Sequence, residues 1–68
     1  MRNQELSNVE RDVLQMTWDL LSIKQIAQMR GCSESLVKKT YEHIHLKLDT
    51  YTRVGMIRKA LEKGIISL

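Results

Sequence analysis

The sequence predicts an all-α fold: a compact four-helix domain in which helices two and three form a helix-turn-helix. Three observations carry that prediction. The 68 residues include no proline and no phenylalanine, a composition that suits a small helical domain and suits a sandwich or barrel poorly. Apolar residues recur at spacings of three and four, the mark of helices with one stripe turned inward. Ser7, Ser22 and Ser33 stand ahead of periodic runs, and Gly31 and Gly64 stand behind two of them, as helix start and stop signals do.

The first helix is expected at about 8–19. Ser7-Asn8-Val9-Glu10 has the form of a capping box, in which Ser7 bonds the amide three residues on and Glu10 reaches back. Val9, Val13, Leu14, Thr17 and Leu21 follow at helical spacing. Ser22-Ile23-Lys24-Gln25 repeats the box and opens a short second helix at about 23–30, with Ile23, Ile26 and Ala27 facing in. Gly31 then supplies the left-handed residue that a helix C-terminus favours. Ser33 caps a third helix at about 34–48, within the stretch CSESLVKKTYEHIHLKL, and its inward stripe is Val37, Tyr41, Ile44 and Leu48. Asp49-Thr50-Tyr51-Thr52 is polar and β-prone enough to break it. A fourth helix runs from Arg53 to about Lys63, turns Met56, Ile57 and Ala60 to the core, and ends at Gly64. Trp18 and Tyr51, isolated aromatics at helix ends, are expected to pack in the core or at its rim. Glu10 and Arg53 are candidates for an inter-helix ion pair.

Length and composition narrow the function classes. The chain is one domain, residues 1–68, with no linker, repeat or low-complexity tract. A domain this small buries only about 60% of the surface its unfolded chain exposes, so its stability is modest. Cys32 has no second cysteine to pair with, which suits a reducing cytoplasm. No apolar run approaches the ~18 residues of a membrane span, and no signal peptide opens the chain. Residues 1–32 carry four basic and four acidic side chains, and residues 33–68 seven and four, so the net +3 resides in the second half. Alone, that charge is a weak sign of nucleic-acid binding. There is no Gly-rich phosphate loop, no Ser–His–acid set and no carboxylate pair that would mark an enzyme.

Spacing is more telling. Only Gly31-Cys32-Ser33 separates helices two and three, and a glycine-containing turn of three or four residues is the helix-turn-helix connection. In that motif the second helix enters the major groove with its N-terminal residues at the base edges.

From Leu6 to Ile66 the residues LSxxExxVL (6–14), SxKxIA (22–27), GCSExxVK (31–38), I…KL (44–48) and R…A…GII (53–66) follow one another without insertion or deletion. This pattern resembles the LuxR-type, or GerE-like, helix-turn-helix domain of bacterial transcription regulators. Region four of sigma factors shares the first half, but it lacks the segment KLDTYTRVGMIRKALEKGII, which is similar to the LuxR-type fourth helix. The resemblance implies a DNA-binding transcription regulator whose helix four joins two copies on a two-fold or repeated site of double-stranded DNA. RNA polymerase is a further partner it brings in, and no cofactor is implied. By position Lys38 and Lys39 stand where family members reach bases and backbone, and Glu42 lies one turn on. Lys24 matches a common backbone-contacting lysine, and Ser33, Ser35, Thr40 and Lys47 are positioning candidates. The chain departs from the pattern at Val9, Thr17-Trp18, Leu20, Arg30 and Thr40, where the family more often has arginine, a small pair, glycine, leucine and histidine.

The residues can also be weighed singly. Glu34 stands four positions before Lys38 and can pair with it. Glu42 can accept from a cytosine amino group, or pair with Lys38 or Lys39. His43 and His45 diverge on a helix and cannot chelate one ion, and a structural metal site wants four ligands; His43 is placed to touch a phosphate or cap the core. Val54 and Leu61, seven apart, form with Arg58 a second face on helix four, which suggests a partner helix, expected to be a second copy. The competing reading is a protein-interaction module that has lost DNA binding, for which Glu34 and Glu42 on the reading face speak.

Overall fold

The computed structural model describes residues 6–19 and 21–67; the Leu20 departure lies outside them. Four helices follow in order: α1 Asn8–Trp18, α2 Ile23–Arg30, α3 Glu34–Leu48 and α4 Arg53–Glu62. Each ends within one residue of its expected bounds because the capping chemistry is local. Ser7 Oγ accepts the Glu10 amide at 3.2 Å while Glu10 Oε1 accepts the Ser7 amide at 2.8 Å. Ser22 and Gln25 form the same reciprocal pair at 3.1 and 2.8 Å. Ser33 and Thr52 cap α3 and α4 by accepting the Leu36 and Gly55 amides at 3.1 and 3.0 Å.

The C-terminal ends are as well defined. Gly31 and Gly64 take φ of 67° and 71°. Behind α2 the Cys32 amide reaches back to the Ala27 carbonyl at 3.0 Å, and behind α4 the Ile65 amide reaches Ala60 at 2.9 Å. Both are the six-residue closure of a Schellman motif. Asp49 does the same work for α3 at φ 57°, with the Thr50 amide bonded to the His45 carbonyl at 3.0 Å. Asp is one of the few non-glycine residues that tolerate this region.

α3 packs against all three other helices, most extensively against α2, while α2 and α4 make no direct contact. The core is Leu6, Val13, Leu14, Ile26, Ala27, Val37, Ile44, Leu48, Met56, Ala60 and Ile66. The stripes expected on α2, α3 and α4 therefore converge on one centre. Val9 does not join them: it lies at the rim, 47% exposed, because the stripe of α1 turns inward from Glu10 and Val13.

Polar ties bind the helices at the edges of this core. Lys47 Nζ donates to Glu10 Oε1 at 2.7 Å, joining α3 to the start of α1. This overturns the expected Glu10–Arg53 pair, and the Arg53 guanidinium lies over the Tyr41 ring instead, 5.9 Å from its centroid. The Thr17 hydroxyl donates to the Val13 carbonyl at 2.8 Å and meets the Tyr41 hydroxyl at 2.6 Å. Arg30, where leucine was expected from the resemblance, forms an ion pair with Asp12 of α1. Trp18 packs on the core as expected, but Tyr51 is 92% exposed. The flanking threonines make the turn's bonds, Thr50 with His45 Nδ1 and Thr52 accepting the Gly55 amide, and Tyr51 between them projects into solvent.

Candidate nucleic-acid interface

The outward side of α3 follows from its buried side. Val37, Thr40, Ile44 and Leu48 are buried, and a 3.6-residue period places Ser35, Lys39, Glu42 and Leu46 directly opposite, with Lys38 beside them. All five are exposed. The short turn Gly31–Ser33 joins α3 to the end of α2, and Lys24, in the first turn of α2, is exposed. Ser33 Oγ is occupied as an acceptor by the Leu36 amide, which leaves its O–H free to donate to a phosphate oxygen. Ser33, Ser35, Lys38, Lys39 and Glu42 are thus exposed along α3 and its cap, and Lys24 is exposed on α2.

Thr40 and Lys47 do not join them. Both lie on the flank of α3 that faces α1. The Thr40 hydroxyl donates to the Leu36 carbonyl at 2.8 Å in a nearly closed environment. Lys47 Nζ is held by Glu10. His43 is exposed and does not cap the core, while His45 is half-buried with Nδ1 2.8 Å from the Thr50 hydroxyl. The sequence reading missed Leu46, 78% exposed at the end of the outward stripe; the same helical period that places Lys39 would have located it.

Electrostatics here are modest. With Lys47 neutralised, Lys24, Lys38 and Lys39 are offset by Glu34 and Glu42, all exposed. A surface so close to neutral offers little bulk attraction to phosphates, and what it presents is mainly directional donors and acceptors. Lysine donates to guanine O6 and N7, a carboxylate accepts from the cytosine amino group, and each good pair is worth about 1–3 kcal/mol of discrimination.

α4 also turns a second face outward. Trp18, Val54, Ile57 and Leu61 line a groove of about 470 Å3 that Arg53, Arg58 and Glu62 border. Val54 is 71% exposed. None of the residues lining this groove belongs to the α3 stripe.

The family model described as bacterial regulatory proteins, luxR family, matches residues 4–60. No curated protein and no solved structure matches the chain.

Proposed function

The chain belongs to the luxR family of bacterial regulatory proteins, and on that premise we propose that it reads a specific duplex sequence as a pair of copies, each with α3 in the major groove. It is a DNA-binding helix-turn-helix domain of a transcription regulator. The observation that supports the finer reading is the exposed stripe Ser35, Lys38, Lys39 and Glu42 on a helix whose opposite side is buried. Lys38 and Lys39 donate to base edges, and Glu42 accepts from cytosine. Lys24, Ser33 and Ser35 hold the phosphates on either side. Thr40 and Lys47 act from within, keeping α3 seated on α1. A regulator with this ligand works in the cytoplasm, beside the DNA and the RNA polymerase it influences.

Pairing through α4 uses Val54, Arg58 and Leu61. Laid antiparallel across a two-fold axis, Val54 of one copy meets Leu61 of the other, and Arg53 meets Glu62. A parallel arrangement would set arginine against arginine. The experiment is selection of bound duplexes from a random pool, followed by affinity measurements on the selected site and on a scrambled one. Lys38→Ala and Lys39→Ala should each cost about 1–3 kcal/mol on the selected site and little on the scrambled one. An unaltered preference after both substitutions would refute the assignment of readout to these lysines.

Glu34 and Glu42 on the same face favour a second reading, a helix-turn-helix that pairs with another protein and no longer binds DNA. A mobility shift against random duplex at low salt separates the two. A DNA binder retains non-specific affinity under those conditions, and the interaction module has none.

A further inference from the structure

Two apolar grooves flank the turn between α3 and α4. One is the α4 face described above. The other, about 460 Å3, lies between the last turns of α3 and residues 49–51, with Leu46 and Tyr51 as its apolar lining and Glu42 and Asp49 as its acidic rim. Tyr51, Leu46 and Val54 are the most exposed large apolar side chains among the described residues, at 92, 78 and 71%. They fall within nine positions of one another, on surfaces that adjoin at a single turn. Scattered apolar exposure is ordinary, but a contiguous exposed patch marks a contact. Duplex DNA suits the part of this patch beyond α3 poorly, because the Asp49 carboxylate there would face phosphates.

The chain itself carries a complementary surface. An antiparallel α4 pair brings the turn 49–52 of one copy beside the C-terminal end of the other copy's α4. Exposed Lys63 stands at that end, next to half-buried Ile65. A basic and apolar tip is what an acidic and apolar shelf fits.

Resting on the proposed α4 pairing, we infer that the interface between copies continues past α4 onto this shelf: Leu46, Tyr51 and Asp49 of each copy receive the end of the other copy's α4, with the Lys63 ammonium against the Asp49 carboxylate. The reading helix is thereby coupled directly to the partner copy, since Leu46 belongs to α3. That contact fixes the angle between the two α3 helices, and with it the half-site spacing the pair accepts.

Sedimentation equilibrium of the 68-residue chain without DNA tests this apart from any DNA contact. The double variant Leu46→Ser/Tyr51→Ser removes only exposed side chains and should unfold at the same temperature as the unaltered chain, yet its pair should dissociate roughly tenfold more readily. Asp49→Asn keeps a residue that tolerates positive φ, and its effect should be non-additive with that of Lys63→Gln. Val54→Asp should abolish pairing, as the α4 contact requires. If the double variant pairs as tightly as the unaltered chain while Val54→Asp does not pair, the shelf is no part of the interface and α4 pairing stands. Strictly additive Asp49 and Lys63 effects overturn the contact assigned between them. An unaltered chain that stays monomeric and occupies selected duplexes one copy at a time overturns this inference and the pairing reading together.

Discussion

One carboxylate oxygen, Glu10 Oε1, accepts both the Ser7 amide at 2.8 Å and Lys47 Nζ at 2.7 Å. Burial pushes the Glu10 carboxyl up, but the Lys47 hydrogen bond, the bonds with Ser7 and the Lys47 charge outweigh it and hold the group below its ordinary value. A carboxyl whose folded pKa is depressed contributes stability that is present above its unfolded pKa and is lost as pH falls through the folded one. Thermal stability should therefore decline below the ordinary glutamate range near pH ~4.3, and Glu10→Gln should flatten that part of the profile. At neutral pH the same substitution keeps a cap acceptor but loses the charge, and should destabilise by about 1–2 kcal/mol; thermal unfolding across pH measures both. The cap itself was legible, because Ser7 and Glu10 are three residues apart. The lysine it binds was not, because Lys47 lies 37 positions away and Arg53 was an equally plausible cation in one dimension.

Helix ends decide how α3 is presented. Gly31 takes φ 67° and a Cβ there would meet no heavy atom within 4 Å, so Gly31→Ala is a purely backbone change. It should destabilise by about 1–2 kcal/mol, lowering Tm by roughly 5–10 °C in a domain of this size. Gly31→Asn should cost less, since asparagine visits the left-handed region more readily. Asp49 occupies the same kind of position at φ 57° and runs the other way: Asp49→Gly should stabilise by up to about 1 kcal/mol. Calorimetry on the three variants checks the set. Glycine and serine punctuation made the helix bounds readable to within a residue. Asp49 escaped notice as a left-handed cap because aspartate is common in ordinary turns too, and Tyr51 was misplaced because an aromatic after a helix usually finds a surface to cover.

At the scale of the molecule, the exposed lysines and the shape set how DNA is met. With Lys24 neutralising a phosphate, log K should fall against log salt with a slope of about −0.9 per phosphate contact. Lys24→Ala should weaken all sequences alike and make the slope shallower by roughly one per copy, whereas Lys47→Ala should leave it unchanged, its charge being spent on Glu10. Titrations of salt by fluorescence anisotropy distinguish the two. The longest extent of the domain is 32 Å, close to the ~34–36 Å between half-sites one helical turn apart.

The order and length of the four helices, and the inward faces of α2, α3 and α4, were determined by the sequence alone, because caps act across three residues and a buried stripe repeats every three or four. So was the stripe of lysines on α3, which is the complement of its apolar side. What only the tertiary structure decided was which charges remain free. Lys24, Lys38 and Lys39 stay in solvent while Lys47 is taken by Glu10 and Arg30 by Asp12, and Tyr51 is left uncovered. Those outcomes depend on distances between segments far apart in the chain, which packing of the core sets and no local spacing encodes.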